Sequence, residues 1–208
     1  MAAGVHAAGA HTAHDEHHHH GPPPANQSSR VSPATLGMAL FIISEIMVFG
    51  AFFTAYFFIR VVGGAEWPAE GTELPKVIAG FNTAILVSSS FTIHYAQESI
   101  KAGNRRGLQL GMVATFLLGL TFLFIQVNEY VHIGFAPQDT AQGTIFYGLT
   151  GLHGAHVTIG LMLLLFVTIR SFRGHFSAEH HHGMEVPGIY WHFVDVMWLV
   201  VYFTVYII

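Results

Sequence analysis

The sequence predicts an all-α fold, an integral membrane bundle of five transmembrane helices. Three observations predict it. The 208-residue chain is 52% hydrophobic and only 10% charged, whereas soluble domains carry about 25% charged residues. Five apolar stretches, roughly 36–59, 77–97, 108–128, 144–169 and 187–208, approach or exceed the ~20 residues that cross a bilayer as a helix. Charges and turn residues collect between these stretches, with Pro75, Gly103 and Pro187 at their boundaries, where helix ends are expected.

Residues 1–33 form a tail rich in Ala, Gly, His and Pro with no apolar period, and such a segment is expected to be disordered. No apolar core precedes a small-residue cleavage site, so no signal peptide is expected. The cluster Asp15, Glu16 and His17 to His20 offers incidental metal affinity only, because ligands without rigid spacing do not define a site. The transmembrane domain is assigned to 34–208.

The first span carries Glu45, about nine residues in, or roughly 13 Å at the helical rise. A carboxyl group near the bilayer centre must be protonated, paired or hydrated. Two readings stand side by side: a proton-handling or lipid-pocket residue, or a neutral acid bonded to a neighbouring helix. The second span carries His94 toward one end. The third closes on Gln126, Asn128, Glu129 and Tyr130, where Glu129 reads as a capping or docking residue at the interface.

The fourth span places His153 and His156 three residues apart, among Gly148, Gly151, Gly154 and Gly160. Small residues let helices approach closely, and the histidines then bond across the gap. A histidine pair also suits metal or haem, but neither His94 nor His192 matches this pair in depth, so packing histidines are the favoured reading. The following loop holds Arg170, Arg173, His175 and His180 to His182. One histidine triplet falls short of the several spaced boxes of a membrane di-iron oxygenase. A basic rim for anionic lipid headgroups fits these residues better.

The fifth span contains Tyr-Trp-His-Phe-Val-Asp-Val-Met-Trp at 190–198. At about 100° per residue, Trp191, Asp195, Trp198 and Tyr202 fall on one stripe with His192 beside it. Ionisable groups at membrane depth face protein or a watery cavity. His192 and Asp195 therefore read as a buried polar latch that holds the last helix in its bundle.

Six of the eight Lys and Arg residues (Arg30, Lys101, Arg105, Arg106, Arg170 and Arg173) lie on the N-terminal side of the membrane, against Arg60 and Lys76 on the other. The positive-inside rule then puts the N-terminus in the cytoplasm and the C-terminus outside. The net charge of −4 is too small and dispersed to indicate nucleic acid. The absence of cysteine excludes disulfides, iron–sulfur clusters, thiolate-bound copper and covalently attached haem c on this chain.

Several long blocks resemble subunit III of the haem–copper oxidases, specifically the cytochrome c oxidase family. They are Gly37 to Phe49, Trp67-Pro68, Ser88 to Thr92, Gln126 to Tyr130, Thr150 to Val157 and His175 to Trp198. The resemblance covers about residue 36 to the end and matches the short five-span form found in many bacterial oxidases. It implies a subunit of the bacterial cell membrane that holds no haem, copper or other metal and has no catalytic residue. The haem and copper then belong to partner subunits I and II. It further implies packing on subunit I, phospholipid binding, support of proton uptake, and protection from turnover-linked inactivation. The family's buried glutamate matches Glu45, and its headgroup-binding residues match Arg170, Arg173 and His175.

Close alternatives share the pattern: subunit III of a quinol oxidase, or the accessory subunit of a nitric oxide reductase. The electron donor, cytochrome c or quinol, docks on another subunit. A reading of a different class is a stand-alone proton or solute carrier using Glu45, His153 and Asp195.

Overall fold

A computed structural model describes residues 33–64, 74–174 and 182–208. The N-terminal tail, Trp67-Pro68, His175, His180 and His181 lie outside the described residues. Five long helices follow one another: α1 (Pro33–Phe57), α2 (Lys76–Lys101), α3 (Arg105–His132), α4 (Ala141–Phe172) and α5 (Glu185–Tyr202). All five are long and apolar enough to cross a membrane. One π-helical turn extends α1 over Phe58–Val62 and another extends α5 over Phe203–Ile207.

The helices overrun the apolar stretches that announce them. The α4 helix has 32 residues, about 48 Å at 1.5 Å per residue, so its ends protrude beyond a hydrocarbon core of about 30 Å. Polar caps set the helix starts. Asn104 accepts from the Gly107 amide at 3.0 Å, and Thr140 accepts from the Gly143 amide at 2.9 Å. These bonds satisfy amides that a helix start leaves without a partner.

The α2 and α3 helices form a tight hairpin. Its turn places Gly103 at φ +75°, a conformation that costs glycine little. Small residues then bring the two backbones together. A Cβ on Gly107 would lie 2.5 Å from Ser99 Oγ, and one on Gly111 would lie 2.7 Å from the Ala96 Cβ. One turn further on, Thr92 and Thr115 share a hydrogen bond of 2.8 Å.

The α5 helix is the central element, with 61% of its apolar stretch buried, against 6% for α1. The α1 helix packs on α4 and α5 and leaves Leu40, Ile43 and Met47 exposed. Apolar burial drives little in a bilayer, because lipid tails are as apolar as leucine. Close fit and interhelical hydrogen bonds hold such a bundle together.

Candidate functional site: the interhelical polar contacts

The strongest fit centres on Trp191. Its ring is fully buried and lies between α3 and α4. A Cβ on Gly119 would come within 2.5 Å of the ring, and one on Gly160 within 2.9 Å. The two glycines thus form a slot of the thickness of an indole. The Trp191 Nε1 donates to Ser89 Oγ on α2 at 2.8 Å.

Two turns along, Trp198 repeats this arrangement by donating to Thr83 Oγ1 at 2.9 Å. Both hydroxyls donate to their own helix, Ser89 to Leu86 O and Thr83 to Ala79 O. Each hydroxyl is therefore left as an acceptor for an indole, which can only donate.

Between the two indoles, the Ser90 hydroxyl donates to Asp195 Oδ2, and its oxygen lies 3.3 Å from His192 Nδ1. The structure thus brings His192 and Asp195 to a single serine of α2. Ser90 lies in the Ser88 to Thr92 block, yet the partnership is not readable from either helix alone. Asp195 is buried and His192 half-buried.

Glu45 and His156 meet across α1 and α4, with Oε2 at 2.8 Å from Nε2. The other ring nitrogen, Nδ1, lies 2.8 Å from the Leu152 carbonyl. A carbonyl only accepts, so Nδ1 must carry a proton. The bond between Nε2 and Oε2 then holds a single proton, written either as carboxylic acid with neutral imidazole or as carboxylate with imidazolium. The Phe49 ring lies 5.1 Å from the imidazole, and Tyr190 donates to the His156 carbonyl at 3.2 Å.

His153 faces other neighbours despite its spacing from His156. It is fully buried, with Phe122 edge-on at 5.7 Å and Trp198 at 4.7 Å. The two histidines share no ligand geometry. Among the described residues, no group of three or more His, Cys, Asp or Glu is placed to hold a metal ion.

Glu129 docks one helix on another. It is 5% exposed and accepts from Tyr206 at 2.6 Å, which docks the end of α5 on α3. Arg60 joins the same end of the bundle by donating to Tyr56 at 2.9 Å and to the Ile208 carbonyl.

At the opposite end, Arg170 and Arg173 are exposed at the close of α4. The Arg170 guanidinium lies 5.7 Å from the Phe166 ring centre, and Gly174 sits beside Arg105 at the start of α3. Asn82, buried, is a core polar residue that sequence reasoning passed over, and Gln126, also buried, entered it only as a neighbour of Glu129. Their signal is an amide in an otherwise apolar run.

Fold and contacts define a multi-pass helical membrane protein whose polar residues join helix to helix. The family model for cytochrome c oxidase subunit III matches residues 26–208. Cytochrome c oxidase subunit 3 of Thermostichus vulcanus is 42% identical over 174 residues, 83% of this chain and 86% of the relative. The Synechocystis subunit is 43% identical over 174 residues, 83% of this chain and 74% of that one. The subunit of Oryctolagus cuniculus is 39% identical over 176 residues, covering 82% and 67%. The chain belongs to the cytochrome c oxidase subunit III family.

Proposed function

We propose that this chain serves a respiratory cytochrome c oxidase as a membrane subunit with no redox centre of its own. Haem and copper reside in subunits I and II, and the exposed apolar faces of α1 and its neighbours pack on subunit I and on lipid. The complex lies in a bacterial cell membrane, with the end that carries Arg105, Arg106, Arg170 and Arg173 in the cytoplasm. Arg170, Arg173 and His175 hold phospholipid headgroups there, and Glu45 supports proton uptake. His153, His156, His192 and Asp195 act in packing between helices.

The observation that carries this reading is the Glu45–His156 bond. It holds one proton between α1 and α4, and the resemblance to subunit III matches the family's buried glutamate to Glu45. The test compares the oxidase with and without this chain. Electron transfer should persist on removal while the number of turnovers before inactivation falls. A complex without the chain that turns over indefinitely would overturn the protective role. The quinol oxidase and nitric oxide reductase readings are decided by the metal content of the purified complex. A dinuclear copper centre on the partner subunit marks cytochrome c as the donor. A stand-alone carrier would instead transport solute in liposomes holding this chain alone, and Glu45→Gln would abolish that transport.

A further inference from the structure

Among the described residues, eight buried side-chain polar atoms have no hydrogen-bond partner in the protein, and seven of them belong to one region. They are Asn82 Oδ1, both side-chain heteroatoms of Gln126, Glu129 Oε2, the Tyr130 hydroxyl and both ring nitrogens of His153. Buried polar groups are bonded in the great majority of cases, so a group of orphans calls for a shared explanation.

These atoms form a column. Gln126 approaches the Tyr130 and Tyr206 hydroxyls, but the geometry completes no hydrogen bond to either. Tyr130 likewise approaches Thr150, one turn before His153 on α4, without completing a hydrogen bond. Asn82 crosses from α2 to donate to the Phe122 carbonyl at 3.2 Å, and the Phe122 ring meets His153 edge-on. Taken in this order, the groups trace a path from Glu129 to His153 along α2, α3 and α4.

Its outer end adjoins a cleft of about 340 Å³ lined by Ile78, Ile125, Asn128 and His132, and Glu129 belongs to both. At its inner end the Trp198 and Phe122 rings meet edge to face at 4.9 Å and both pack on His153.

We propose that this column binds a file of internal water molecules that opens at Glu129 and ends at His153. The unpartnered atoms include both donors and acceptors: an amide –NH2 and a hydroxyl beside carboxyl, amide and imidazole acceptors. Water satisfies both kinds, whereas a metal cation would leave the donors unpaired. Buried waters typically make about three hydrogen bonds each to such otherwise unpaired groups. The file reaches His153 from one end of the bundle only. It hydrates the middle of the membrane domain without joining the two aqueous phases, so it does not conduct protons across.

The test uses the intact oxidase complex in nanodiscs. A cryo-EM map that resolves water should show ordered density within hydrogen-bond distance of Gln126, Asn82 and His153. X-ray radiolysis in heavy-oxygen water should label Phe122, His153 and Trp198 despite their burial. Normalised for intrinsic reactivity, that labelling should exceed that of the equally buried Leu86 by at least an order of magnitude. Labelling that stops at Glu129 and Tyr130 overturns the reach to His153. A dry map with no labelling beyond the level of Leu86 overturns the proposal entirely.

Discussion

Glu45 Oε2 and His156 Nε2, 111 residues apart in sequence, sit 2.8 Å apart and join the peripheral helix α1 to α4. Since Nδ1 is committed to the Leu152 carbonyl, the pair offers its partners one proton and no more. Glu45→Gln keeps a side-chain amide that can donate to Nε2 while removing the titratable oxygen. We expect this variant to assemble with full haem content while its proton uptake changes modestly. Glu45→Ala leaves His156 Nε2 unpaired at a cost of about 1–3 kcal/mol, to be read as a lowered Tm of the complex.

The Trp191 slot separates glycines that look alike in sequence. Gly119→Leu and Gly160→Leu drive a side chain into the indole, with a Cβ as close as 2.5 Å, and overpacking of this kind costs about 1–3 kcal/mol or more. Both variants should fail to incorporate, as measured by the yield of this chain in the purified complex. A Cβ on Gly151 or Gly154 meets nothing within 4 Å. Alanine at either position should be tolerated or should raise Tm slightly, by the ~0.5–1 kcal/mol that separates the two residues in a helix.

The hydrogen bonds of the latch can be tested singly. Thr83→Val removes the acceptor of the Trp198 indole at nearly constant volume. Membrane interhelical bonds average about 0.6 kcal/mol with a maximum near 1.7, so a small fall in Tm is expected. Ser90→Ala should cost more, because Asp195 loses the hydroxyl that donates to it, and an orphaned carboxyl group is worse than a lost neutral pair. Equal Tm values for the two variants would argue against a special role for Ser90.

Tyr206→Phe leaves Glu129 without its donor at the end of α5. This end should loosen first, measured as faster hydrogen exchange over residues 199–208 with α4 unchanged.

Replacing Arg170 and Arg173 together with Ala should reduce the anionic phospholipid retained through purification, as weighed by native mass spectrometry. Unchanged lipid content would remove these residues from the headgroup site.

The five spans were legible because length and apolarity suffice to mark a transmembrane helix. The boundaries were less so. Polar ends such as Arg105 and His132 remain helical beyond the apolar stretch, which hydropathy alone does not register. The stripe of Trp191, Asp195 and Trp198 was legible from helical period. Its partners Ser89, Ser90 and Thr83 were not, because nothing in α2 states how it is rotated against α5. The α1 helix is predominantly apolar, and Glu45, its one carboxyl group, was the hint to the face that meets α4. His153 and His156 read as equivalent from their spacing, yet one meets aromatic rings and the other a carboxyl group, a distinction set entirely by neighbouring helices.

The central position of α5 has a consequence for biosynthesis. The ribosome makes it after the four helices that surround it. Until it arrives, Gly119 and Gly160 have no indole between them, and the hydroxyls of Thr83, Ser89 and Ser90 have no indole or carboxyl group to meet. The nascent chain therefore passes through a four-helix stage that lacks its keystone. That stage, and not the finished bundle, is where insertion machinery and early partners have the most to protect.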